Sequence, residues 1–161
     1  HTMDHNNVQY SYVDIYNFWM RVAYNMAKGL YTVNNWNLKT TPVAVIVSED
    51  GSFISMGVCA DGAHAIQAKC NRLEEKGLPY TECEFCVEEE HAERKALRKA
   101  YDKDLKGGRI YVYGHYKLCE SCLKALCDRG ITHFYLLENA DVLFNRHHPD
   151  TVLGTNKQFT L

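Results

Sequence analysis

Two short motifs carry residue types that could do chemistry together: His91-Ala92-Glu93 and Cys119-Glu120-Ser121-Cys122. On a helix, thiols three residues apart share a face, and a helix N-terminus favours their thiolate forms. Two thiolates and a neutral imidazole make three protein ligands suited to zinc, with a fourth position open to water; a closed structural site would need a fourth residue, such as Cys86. A dication held this way brings the pKa of its water toward 7. Glu93, two residues past His91, is placed to touch that water without binding the metal and to carry its proton to a substrate. A nucleophile and a proton carrier on one side of a flat ring suit attack at an amidine-type carbon and loss of ammonia.

For this the motifs must meet. They lie 28 residues apart, room for a helix, a turn, a strand and a loop. Apolar spacing predicts an amphipathic helix over Tyr12 to Leu30, then a β-hairpin from 42–47 and 53–58 around Glu49-Asp50-Gly51-Ser52. A helix over 63–76, stopped by Gly77, follows. Glu88 to Asp102 reads as a helix, acidic at its start and basic later. Arg109 to Tyr113 is a strand, Cys119 to Arg129 a helix ended by Gly130, and Ile131 to Leu137 a strand. Ala140 to Asn145 reads as a short helix or strand and His147 to Asp150 as a loop. The tail is expected to add an edge strand or pack on a neighbouring subunit. Hairpin, helix, strand, helix, strand describes an α/β sandwich with a mixed sheet. Both motifs then fall at helix starts on one edge of that sheet. Neither motif is specific alone; order, spacing and place together make the reading.

His-x-Glu followed by Cys-x-x-Cys resembles the cytidine and deoxycytidylate deaminase superfamily. The resemblance runs from about Tyr10 to Leu137, through an N-terminal helix, the hairpin PVAVIVSEDGSFISMGV, then HAERKAL, IYVYG and CESC. It implies a three-layer α/β/α sandwich with about five strands in a mixed sheet. It also implies zinc on His91, Cys119 and Cys122, with Glu93 as proton shuttle. The helix before the hairpin and the long insert before His91 are most similar to the deoxycytidylate type. That type implies conversion of dCMP to dUMP with release of ammonia, a homo-oligomer, and dCTP and dTTP as effectors. The alternatives are a deaminase of another base (cytidine, guanine, or a base in tRNA or single-stranded DNA) and a non-catalytic zinc protein that binds a nucleotide.

The chain departs from the family pattern in four places. Leu118 stands where the family has proline before the first motif cysteine. Gly57-Val58-Cys59 replaces Gly-x-Asn, and a thiol is a poor stand-in for an amide. Substrate contacts are therefore assigned to His115 and Tyr113, on the strand and loop leading to Cys119. Residues 60–90 form an insert in which Cys83 and Cys86 have ligand spacing. With Cys70 and His64 or Cys59 they could close a second, structural zinc site, the plain reading being buried core thiols. The C-terminal segment 138–161 is short for a full helix–strand pair, so the fifth strand is absent, displaced or lent by a partner.

The 161 residues are read as one domain. Apolar residues make up 46% and charged residues 24%, which excludes wholesale disorder. A net charge of −2, from 18 Lys+Arg and 20 Asp+Glu, removes the usual argument for a nucleic-acid binder. No stretch approaches a membrane span. His1-Thr2 ahead of Met3 is set aside from the fold. With no secretion signal in the first residues, the seven cysteines are expected reduced in the cytoplasm. Lys95, Arg98, Lys99, Lys103 and Lys106 read as a solvated face. Lys117 is a candidate phosphate contact, and Tyr16, Trp19 and Tyr24 read as core or subunit contacts.

Overall fold

The computed structural model describes residues 3–34, 42–59, 91–145, 147–152 and 159. The helix expected over 63–76 and the proposed second metal set His64, Cys70, Cys83 and Cys86 lie outside the described residues.

The first strand, β1 (Tyr10–Val13), precedes the first helix, α1 (Phe18–Asn34). This corrects the helix expected from Tyr12. Asp14 takes the Tyr16 N–H on its side chain and the Asn17 N–H on its carbonyl, making a turn. Asn17 then caps the helix by accepting the Met20 N–H. Tyr12 and Val13 fit a strand and a helix pattern equally well; the turn and cap behind them decide. Gly29 lies within the helix and does not end it.

The hairpin strands β2 (Val43–Val47) and β3 (Phe53–Val58) pair antiparallel. Next come α2 (Ala92–Lys99), β4 (Arg109–Tyr113), α3 (Glu120–Asp128), β5 (His133–Leu137) and the short α4 (Ala140–Phe144). The sheet order is β1-β5-β4-β2-β3, with β1, β5 and β4 parallel and β2 antiparallel to both neighbours. This is the mixed five-stranded α/β sheet the sequence led us to expect. The fifth strand is displaced: the segment before α1 supplies it, and Tyr10 to Val13 pair with Phe134 to Leu137.

Alternation divides the strands between two faces. Ser55 and Gly57, and with them Ala44, Ile46, Ile110 and Val112 in register, face α2 and α3. Val43, Val45, Val47, Tyr111 and Tyr113 face the other way, where the Tyr24 ring of α1 meets Tyr113. Phe159 also packs there, on Tyr24 and Tyr113, so this residue of the tail joins the chain's own core. Of the basic run, Lys95 is buried, whereas Arg98, Lys99, Lys103 and Lys106 are exposed. Tyr24 is core, Trp19 partly buried and Tyr16 exposed. Among the described residues no helix is long and apolar enough to cross a membrane.

Candidate metal centre

Two helix starts meet where β3 and β4 end. His91 is the N-cap of α2 and Cys119 the N-cap of α3, both extended in backbone. What sets α2 so close to the sheet is Gly57. A Cβ there would stand 2.0 Å from the Ala92 carbonyl oxygen and 2.4 Å from the Ala96 nitrogen, so only glycine fits. Ser55 adds a bond, its hydroxyl donating to the Ala96 carbonyl at 2.8 Å. At the far end of α3, Gly130 (φ +95°) ends the helix, its N–H donating to the Cys127 carbonyl. Arg94 ties the two helices together, Nη1 donating to Ser121 Oγ at 2.9 Å.

His91 Nδ1 lies 3.6 Å from Cys119 Sγ and 3.5 Å from Cys122 Sγ. The ligand atoms of all three residues fall within 4.8 Å of one another. Tetrahedral zinc, with Zn–N of about 2.0–2.1 Å and Zn–S of about 2.3 Å, separates nitrogen from sulfur by about 3.6 Å. Both nitrogen–sulfur separations therefore match the spacing zinc requires, and the residues fit the metal.

The thiols share their charge unequally. The Cys122 thiol hydrogen bond lowers Cys119 to about 4, with help from His91 and the Cys122 N–H against burial. The same bond, then burial and the Glu93 charge, push Cys122 well up. Cys119 is thus the readier thiolate of the two, and a bound cation would favour the thiolate form of both.

Glu93 is wholly buried. Its Oε1 lies 3.0 Å from His115 Nδ1, and its Oε2 has no hydrogen-bond partner among the described residues. Burial pushes the carboxyl up, but the charge and hydrogen bond of His115, then the charge of His91, outweigh it and hold Glu93 below the usual carboxylate range. A buried acceptor oxygen beside a nitrogen–sulfur donor set is an arrangement able to hold a metal and move a proton.

The chain is similar to a dCMP deaminase. That structure, dCMP deaminase from the cyanophage S-TIM5 in apo form, is 19% identical over 76% of this chain and 86% of its own, with a TM-score of 0.47. A second similar structure, Acinetobacter baumannii RibD, is 25% identical over 74% of this chain, with a TM-score of 0.41; the match spans 27% of that longer protein. No family model and no curated protein matches the sequence.

The sequence-derived candidates divide. His91, Glu93, Cys119, Cys122 and His115 come together. Tyr113 does not: it is fully buried on the opposite face of the sheet, against Tyr24 and Phe144, and the substrate role expected of it is withdrawn. Its place five residues before Leu118 suggested proximity, but strand alternation turns its side chain away. Lys117 is exposed, with Nζ 5.5 Å from the Tyr116 ring centroid. Cys59 follows β3 at the edge where α2 begins, and its N–H donates to the Pro42 carbonyl. Sequence reasoning missed Tyr10, whose hydroxyl accepts the Leu118 N–H at 2.9 Å. It also missed the Arg94–Ser121 tie. Neither has a local signal, because each joins segments distant along the chain.

Proposed function

We propose that the protein is a zinc-dependent hydrolytic deaminase of a cytosine nucleotide, with dCMP as substrate and dUMP and ammonia as products. The observation that carries this reading is the pairing of a His/Cys/Cys set at zinc-like nitrogen–sulfur spacing with a buried carboxylate oxygen that finds no hydrogen-bond partner among the described residues. His91, Cys119 and Cys122 would hold the metal. When bound, zinc supplies Lewis acidity that activates water.

The remaining work belongs to the chain's own groups. His115 grips Oε1 of Glu93 and leaves Oε2 to accept a proton from the attacking water. The water oxygen bonds to C4 of the ring. Glu93 passes that proton to ring N3; it then carries the second water proton, from the hydroxyl now on C4, to the departing amine, the C4–N bond breaks as C4=O forms, and ammonia leaves. A purely structural metal site would give Glu93 nothing to do and would bury it at a cost. The deoxycytidylate assignment draws on α1 standing before the hairpin and on the long 60–90 insert before His91.

Glu93→Ala should keep the metal stoichiometry of the parent while ammonia release falls by about 10²–10⁴-fold, the usual worth of a positioned proton carrier. Appreciable turnover by that variant would remove the assigned role. Ultraviolet absorbance on dCMP, CMP, cytidine, deoxycytidine, guanine and an oligonucleotide separates the substrate classes. Inactivity on all of them with nucleotide binding intact would make the protein a binder.

A further inference from the structure

The loop that delivers Cys119 is anchored from an unexpected direction. Leu118 directly precedes the N-cap of α3, so its N–H falls outside the helix ladder. That N–H is donated to the hydroxyl of Tyr10 on β1, 108 residues away in the chain. We propose that Tyr10 is a positioning residue for the metal centre, its hydroxyl fixing the backbone that presents Cys119. The proposal rests on the reading of His91, Cys119 and Cys122 as metal ligands.

Three observations support it. Tyr10 pairs with Phe134 at the start of β5, so its ring is carried by the sheet and not by a free loop. The same N-terminal segment grips the other side of Cys119, where His5 Nε2 lies 3.3 Å from Glu120 Oε1. The hydroxyl is also kept protonated: burial raises it most, the Leu118 bond opposes this, and the charges of Glu93, Tyr12 and Cys119 add to the rise. A proline at this position would restrain the loop through its ring but could offer no N–H. Leucine keeps the N–H, and the bond to Tyr10 supplies the restraint from across the fold. Displacement of the fifth strand to the N-terminal segment and retention of a donor at 118 are then two parts of one arrangement.

The test uses the full chain loaded with Co²⁺, whose absorption bands report thiolate number and geometry. Tyr10→Phe keeps the ring in the sheet and removes only the acceptor. We expect Co²⁺ affinity to fall about tenfold, the lower end of what loss of an outer support to a metal ligand costs. The thiolate-to-cobalt bands should shift, while the metal-free protein melts within a few degrees of the parent. Tyr12→Phe, on the same strand but exposed, should change neither. Parent-like affinity and bands in Tyr10→Phe would overturn the proposal. So would unchanged bands with an affinity loss that merely tracks lost stability. A parent protein that binds no Co²⁺ would instead bring down the metal reading itself.

Discussion

The two faces of the sheet are packed by opposite means. Beneath α2 the residues are small: Ser55 and Gly57 on β3 meet Ala92 and Ala96, so backbone approaches backbone. Beneath α1 and α4 they are large: Tyr24, Tyr113, Phe144 and Phe159 interlock, and Tyr111 stacks on Tyr135 at 4.5 Å. Large rings fill volume and can adjust by rotamer. Two backbones in contact have no such freedom. The helix that carries His91 and Glu93 is therefore placed by the stiffer kind of packing, on the face where tenths of an ångström decide whether donor atoms meet a metal.

Gly57→Ala should break this comparison most severely. The added methyl cannot coexist with the Ala92 carbonyl at 2.0 Å, so α2 must lift. We expect a loss of about 3 kcal/mol or more, at the top of the range for overpacking. Metal affinity should fall with it, as read by denaturant unfolding and chelator competition. Tyr113→Leu is the matching change on the other face. It should cost about 1–3 kcal/mol through the space left among the rings, yet leave metal affinity and cobalt bands at parent values. Equal loss of affinity in both variants would show that the two faces do not differ as described.

The smallest expected effect lies at the far end of the same hairpin. Hydrogen bonds from Ser48 and then Ser52 lower the exposed Asp50 carboxyl to about 2. A depressed folded-state pKa stabilises above the unfolded value of about 3.9 and is lost as pH falls through about 2. Metal-free protein titrated from pH 4 to 2 should therefore lose slightly more stability than Asp50→Asn. Identical profiles would show that this turn contributes nothing to acid sensitivity.

What could be read from the sequence follows the same divide between near and far. The hairpin and β4 emerge almost residue for residue, because apolar alternation and the Glu49-Asp50-Gly51-Ser52 turn are adjacent signals. His91, Glu93, Cys119 and Cys122 stand out because His-x-Glu and Cys-x-x-Cys are spacings that metal and proton-transfer chemistry would use. The start of α1 was misplaced because Tyr12 satisfies two periodicities, while the Asn17 cap that settles it is one residue. Tyr113 was misassigned because nearness in sequence ignores which side of a strand a residue faces. Tyr10 was invisible, since a tyrosine that holds an amide 108 residues away leaves no local mark.

The pairing of β1 with β5 has a kinetic side. A chain made from its N-terminal end releases Tyr10 to Val13 long before their partners Phe134 to Leu137 exist. Until β1 docks on it, β5 is an open edge, able to recruit a strand from another molecule. Long-range pairing of this kind is slow because loop closure comes before any contact rewards it. The corner bearing the cysteines is thus closed by a pairing of high sequence separation, and refolding at high protein concentration should favour exchange of that first strand between copies.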